Sequence, residues 1–332
     1  MRDPKMKLAI NLKTCIATIA LNCFTLPTFA FSQSNLSPYA DLTLNVHWDT
    51  QYNDLEPLDL TVTAASSGVK SFHLAFVTDA GTCQPAWGAQ SAYATQAHWG
   101  AHLTDKLRTD GINYIISFGG ASNNDLSKAC SEENLIAAYE NIITTYQPAG
   151  LDFDIENGTA DVLKVMQALQ KVQQRHPNLK LSFTLPVMPE GLTSSGQDIV
   201  SQAKAANLNF AVNIMAMDYG PAYVNDMGEY AKQAATNLYL FLKSIYPSKA
   251  DADLWKMVEV TPMLGVNDVA TEQFTLTNTD TLRHFANANN IGGLSFWDMS
   301  RDFPCADQWA NTHCSGNNLQ TQPYEFSKRF LQ

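Results

Sequence analysis

The chain has 332 residues, 16% of them charged and 45% apolar, a balance that excludes a disordered chain and fits one large domain or two small ones. Its 32 acids against 21 Lys plus Arg give a formal charge of −11 with no basic run, which excludes a nucleic-acid partner gripped through its phosphates.

Taken from the start, Arg2, Lys5 and Lys7 precede the apolar stretch "CIATIALNCFTLPTFA", which ends in small residues near Ala30. Residues 1–30 therefore read as a secretory signal and 31–332 as the mature, exported protein, periplasmic or fully secreted. No later stretch approaches the roughly 20 apolar residues of a spanning helix, so no membrane span is expected after signal removal. Cys15 and Cys23 leave with the signal, and Cys83, Cys130, Cys305 and Cys314 remain, an even set suited to an oxidising compartment. Three pairings are open; the short local loop favours Cys305 with Cys314 and hence Cys83 with Cys130. With no CxxC pair and no neighbouring His cluster, no metal site is expected.

Short β-rich runs then alternate with amphipathic stretches. The runs are "ADLTLNVHW", "VKSFHLAFV", "INYIISFGG", "AGLDFDIE", "KLSFTLPVM", "NFAVNIMAM", "MVEVTPMLG" and "IGGLSFWDM". Between them lie "ENLIAAYENIITTY", "DVLKVMQALQKVQQRH" and "MGEYAKQAATNLYLFLKSIY", whose apolar residues recur at helical spacing. Such alternation predicts parallel strands with helical crossovers, an α/β fold, and its length fits a (β/α)8 TIM barrel forming a single catalytic domain. An open doubly wound sheet would carry a glycine-rich first turn, and "DTQYNDLEP" contains no glycine. "CSGNNLQTQPYEFSKRFLQ" reads as a closing loop and helix.

Within the fourth run, "GLDFDIENG" sets Asp152, Asp154 and Glu156 at alternate positions with Leu151, Phe153 and Ile155 between them. On a strand the acids share one face, which must point into the barrel if the apolar face packs under the helices. Neighbouring carboxylates about 7 Å apart repel by about 2 kcal/mol at an effective dielectric near 20, so folding gains nothing from them. Crowding raises the pKa of at least one acid and makes it a proton donor near neutral pH. Glu156, at the carboxyl end of its strand, stands where barrel active sites open. A cation site is the rival reading, but "DFDIENGTADVL" has its glycine one position too late for an EF-hand loop and ends in Leu rather than Glu.

"GLDFDIE", with "SFGG" at 117–120, "MAMDYG" at 215–220 and "GLSFWDMSRD" at 293–302, resembles glycoside hydrolase family 18, the chitinases, over about residues 38–330. The resemblance implies hydrolysis of β-1,4-linked N-acetylglucosamine polymers with retention, by substrate-assisted catalysis, in a monomer that needs no cofactor and takes chitin or its oligosaccharides as partner. It implies Glu156 as general acid/base, Asp154 orienting the acetamido group and sharing a proton with Asp152, and Tyr219 holding the acetamido carbonyl. Met217 and Asp218 would line the same subsite and Trp297 would floor it. Ser117, Gly119 and Gly120 would support the row, and Trp87 in "CQPAWG" would stack on sugar. His73 reads as a satisfied core histidine. The resemblance also implies non-proline cis bonds at Ala75–Phe76 and Trp297–Asp298. The family pattern has an Asp three positions before the row, where this chain has Ala149. An endo-β-N-acetylglucosaminidase acting on N-linked glycans shares the mechanism, and a non-catalytic chitin-binding lectin shares the barrel.

Overall fold

The computed structural model describes residues 35–332, so the signal reading of residues 1–30 lies outside the described residues. Eight parallel strands form the main sheet in sequence order: Tyr39–Asp41, Ser71–Asp79, Asn113–Gly119, Gly150–Asp154, Lys180–Met188, Ala211–Ala216, Val258–Pro262 and Gly293–Leu294. Each run expected as a strand contributes one. The sheet closes on itself, because Leu294 N–H donates to Asn35 O (3.0 Å), Ser37 N–H to Leu294 O (2.8 Å) and Tyr39 N–H to Phe296 O (3.1 Å). Closure removes both sheet edges.

The crossovers are helical where the spacing predicted it, at Glu132–Tyr146, Val162–Arg175 and Met227–Ile245. Their starts are fixed by side chains that accept an otherwise orphaned N–H: Ser131 from Asn134, Asp161 from Lys164 and Asp226 from Glu229. Beneath these helices the outward face of the strands is aromatic, with Phe118 and Phe153 stacked at 5.2 Å and Phe183 tilted against Phe153 at 5.9 Å. The closing helix, Glu325–Phe330, buries Phe326 and Phe330, and Phe330 stacks on Phe296 at 5.7 Å.

One expected strand is divided. The run at 40–48 leaves the barrel after Asp41, whose Oδ1 accepts from Thr43 N (2.8 Å) and Thr43 Oγ1 (2.7 Å). That local bond offers the backbone an alternative to the ladder. His47–Asp49 then pairs antiparallel with Asp54–Glu56 in a separate hairpin.

Both expected disulfides are present, Cys83–Cys130 and Cys305–Cys314. Loop-closure entropy predicts that replacing both cysteines by serine costs about 4 kcal/mol for the first pair, 47 residues apart, and about 3 kcal/mol for the second, 9 apart. Thermal unfolding of the two double variants checks this ranking, and a larger Tm loss for the shorter loop would contradict it. Among the described residues no helix is long and apolar enough to cross a membrane.

Candidate active site

The fourth strand points Asp152 and Asp154 into the barrel, as strand alternation requires, and both are buried. In-register pairing sets Ser117 and Ser182 at the level of Asp152, on either side of it. Asp152 Oδ2 accepts from Ser117 Oγ (2.6 Å) and Tyr39 Oη (2.9 Å), and Oδ1 from Ser182 Oγ (2.7 Å) and Thr184 Oγ1 (2.8 Å). Below this, Asn213 donates to Tyr39 Oη (3.2 Å) and Thr184 Oγ1 (3.0 Å) and accepts from Thr261 Oγ1 (2.8 Å). Burial of this carboxyl group is tolerated because four hydroxyls from three strands bond it in place of water.

Asp154 differs from the expectation of a proton shared with Asp152. Both Asp152 oxygens are already occupied, and the Asp154 carboxyl is hydrogen-bonded instead to Glu156. Burial, then the charges of Glu156 and Asp152, push the Asp154 pKa well above the usual carboxylate range. Its Oδ1 is buried and without a partner among the described residues. Glu156 is exposed as a residue at the open end of the row, yet protein lies against its carboxyl. That partial burial raises its pKa, the bond from Asp154 opposes the shift, and the charge of Asp218 adds to it.

Two glycines let the third strand come this close. A Cβ on Gly119 (φ +89°) would lie 2.1 Å from the Asp154 carbonyl oxygen, and one on Gly120 (φ +86°) 3.0 Å from the Phe76 ring. Asn157, next after Glu156, donates to Gly120 O (2.8 Å) and Asn123 O (2.9 Å), which pins the strand-to-helix connection carrying the acid. Ala149 enters the ladder through its backbone alone, bonding Tyr114 O and Lys180 N, so the missing family Asp leaves the row in place.

Across the barrel mouth, Met217 and Asp218 are half-buried after the sixth strand, while Tyr219 is buried with its hydroxyl unpartnered among the described residues. Trp297, half-buried after the eighth strand, stacks on Phe76 at 5.6 Å. Both expected cis bonds are present, Ala75–Phe76 and Trp297–Asp298. His73 donates Nδ1–H to Ser37 O (2.6 Å), stacks on Tyr39 at 4.7 Å, and has its pKa lowered by burial, so it is a core histidine, but only half satisfied, because Nε2 is buried without a partner among the described residues. Trp87 is a correction. It has 0% of its surface exposed, packs edge-on against Tyr146 and reaches that hydroxyl with Nε1 (3.5 Å), so no face is left for a sugar. The strand "PAW" pairs back onto the second barrel strand and folds the indole inward.

The comparisons with known proteins bear on this geometry. No protein-family model matches the chain. The chain is 34% identical over 325 residues to a "Probable bifunctional chitinase/lysozyme" of Escherichia coli, covering 92% of this chain and 35% of that one. It is 35% identical over 302 residues to "Endochitinase 11" of Metarhizium anisopliae, covering 84% of this chain and 55% of that one. It thus spans about a third and about half the length of these two relatives. The solved catalytic domain of a hyperthermophilic chitinase from Pyrococcus furiosus superposes with a TM-score of 0.79 at 35% identity, over 90% of this chain and 94% of that one. The chain belongs to glycoside hydrolase family 18.

Within this family 18 barrel, sequence reasoning missed Tyr39, Ser182, Thr184, Asn213 and Thr261. For all but Tyr39 the signal was present: "LSFTL", "VNI" and "VEVTP" alternate polar with apolar residues just as the acid row does, which marks an inward polar face. It also missed Glu272, buried, whose Oε1 accepts from Gly220 N (2.7 Å) and Oε2 from Tyr219 N (3.1 Å). No pattern in the sequence links Glu272 to residues 219–220, because a hairpin brings it there.

Proposed function

We propose that this chain is a chitinase that cleaves β-1,4-linked N-acetylglucosamine polymers with retention, using the substrate's own acetamido oxygen as nucleophile. The observation that carries the reading is the hydrogen-bonded Asp154–Glu156 pair with raised pKa values, set above an Asp152 that four hydroxyls hold.

Glu156 donates its proton to the glycosidic oxygen as the bond to the anomeric carbon breaks. The acetamido oxygen bonds to that carbon from the opposite face and closes an oxazolinium ring. As substrate binds, the proton held by the Asp154–Glu156 pair passes to Glu156, and Asp154, left as a carboxylate, accepts the acetamido N–H at its unpartnered Oδ1 and offsets the charge forming on the ring. Tyr219 donates its free hydroxyl to the acetamido carbonyl, Met217 and Asp218 line the pocket, and Trp297 offers its indole face to the sugar. Glu156, now a carboxylate, takes a proton from the water that opens the ring, so two displacements at one carbon retain the β configuration. Export to an oxidising compartment fits the two disulfides.

Side-by-side digestion of colloidal chitin and a high-mannose glycoprotein tests the substrate class. Chitin oligosaccharides whose first-formed reducing ends are β support the proposal, and release of the glycan alone transfers the site to N-linked glycans. Binding of chitin oligomers without any cleavage makes the protein a lectin.

The pH profile follows from Glu156. A general acid works while it holds its proton, so activity is present below its pKa and is lost as pH rises through it. Asp218→Asn keeps an acceptor for Val269 N–H but removes a charge that raises the Glu156 pKa. The alkaline limb of kcat should therefore move to lower pH, and an unmoved or alkaline-shifted limb would refute the coupling.

A further inference from the structure

Resting on the reading that Tyr219 holds the acetamido carbonyl, we infer that Glu272 is a positioning residue for the reaction, clamping the Tyr219 backbone so that its hydroxyl meets the substrate in one place.

Tyr219 sits in a connection that would otherwise be free to move. It follows the sixth strand, and Asp218 before it has φ +51°, in the left-handed region, while Gly220 after it has φ +112°. Neither conformation extends a strand or starts a helix, so nothing local fixes the peptide planes on either side of Tyr219. The fixing comes from another connection, the one after the seventh strand. There Gly265–Val266 and Gln273–Phe274 pair antiparallel, and the turn between them closes through Asn267 N to Glu272 O (3.0 Å) and Glu272 N to Val269 O (2.8 Å).

Two carboxylates lock these segments in opposite directions. Asp218 Oδ1 accepts from Val269 N (2.8 Å), reaching from the Tyr219 segment to the turn. Glu272 reaches back and accepts from Tyr219 N (3.1 Å) and Gly220 N (2.7 Å). One carboxylate thus satisfies two successive peptide N–H groups and sets the plane from which the Tyr219 side chain departs. The turn cannot drift either, because the buried Arg301 guanidinium donates to Leu264 O (2.7 Å) and Val266 O (2.5 Å), and Asn267 Nδ2 donates to Met263 O and Gly265 O (both 3.0 Å).

The end of this chain of bonds is a phenol with nothing to do in the free protein. The Tyr219 hydroxyl is buried and unpartnered among the described residues, although its ring is wedged against Tyr223 and Tyr230 at 5.7 and 5.9 Å. A buried donor left unused costs stability, so rigid support for it is support for a bound ligand. A structural role alone would require Glu272 to satisfy the two N–H groups but would place no demand on turnover.

Glu272→Gln keeps the size of the side chain while turning one acceptor into a donor that faces a peptide N–H. The expected result with a fluorogenic chitotrioside is a kcat about 10- to 100-fold lower with KM within about threefold, since misplacing a group that acts in the transition state costs rate more than ground-state binding. Tyr219→Phe should lower kcat as well, and the double variant should be no slower than Tyr219→Phe alone, because both changes remove one interaction. A kcat within twofold of the parent, or losses that multiply in the double variant, overturns the inference. Should Glu272→Gln not fold, hydrogen exchange on the unaltered protein decides: the amides of Tyr219 and Gly220 should be protected without ligand, and exchange at the rate of an open loop sinks the clamp. Failure of the unaltered protein to cleave chitotrioside would overturn the functional reading instead, and amide protection would then judge the clamp alone.

Discussion

Replacing Glu156 by Gln should lower kcat on chitotrioside by about 10³-fold and leave KM within about threefold. Gln fills the same volume and still meets Asp154, so the site keeps its shape; what it lacks is a proton acidic enough to follow the leaving oxygen. The loss falls on both halves of the reaction, since the same carboxylate must later take a proton from water. Steady-state rates and oligosaccharide affinity, measured together, separate this from damage to binding. Residual turnover within tenfold of the parent would mean that another group supplies the proton, and the acid row would lose its assigned task.

Gly119→Ala is expected to cost about 3 kcal/mol of stability or more and, in the protein that still folds, to lower kcat by about 10²-fold. The added methyl would need to stand 2.1 Å from the Asp154 carbonyl oxygen, at a φ of +89°. That oxygen also accepts from Gly120 N (3.1 Å), so the third strand can relieve the clash only by moving off the fourth at the level of the catalytic pair. Gly111→Ala is the control: its φ is +68°, but nothing lies within 4 Å of the new atom, so the backbone penalty of about 1 kcal/mol appears without the rate effect. Melting curves and kcat for the two variants should diverge; parallel behaviour would show that Gly119 is needed for backbone conformation alone.

Much of this was legible before any coordinates. The strand order and the acid row could be read because both obey a period of two, and a period survives in one dimension. Asp41 shows where that reading stops: "ADLTLNVHW" alternates like a single strand, yet one side chain bonding two residues ahead ends the barrel strand early. Trp87 failed for a different reason, since composition cannot say which face of a short returning strand is covered. The partner of Asp154 was misjudged because the hydroxyls that saturate Asp152 come from the first, third and fifth strands, up to 113 residues away in sequence. Glu272 was invisible, being an ordinary acid in a loop until the chain folds.

The interior of the barrel is knitted by hydroxyls and an amide, while its outer face is packed with phenyl rings, and the two layers should age differently. Exchanging Phe183 for another hydrocarbon of similar bulk disturbs only its neighbours' packing, a small penalty that drift can absorb. Substituting Leu for Asn213 takes the acceptor from Thr261 and one bond each from Thr184 and Tyr39, three losses in a single step in the network that holds Asp152. Descendants of this chain are thus free to wander on the outside one position at a time. Inside, they must rewrite several letters together or none.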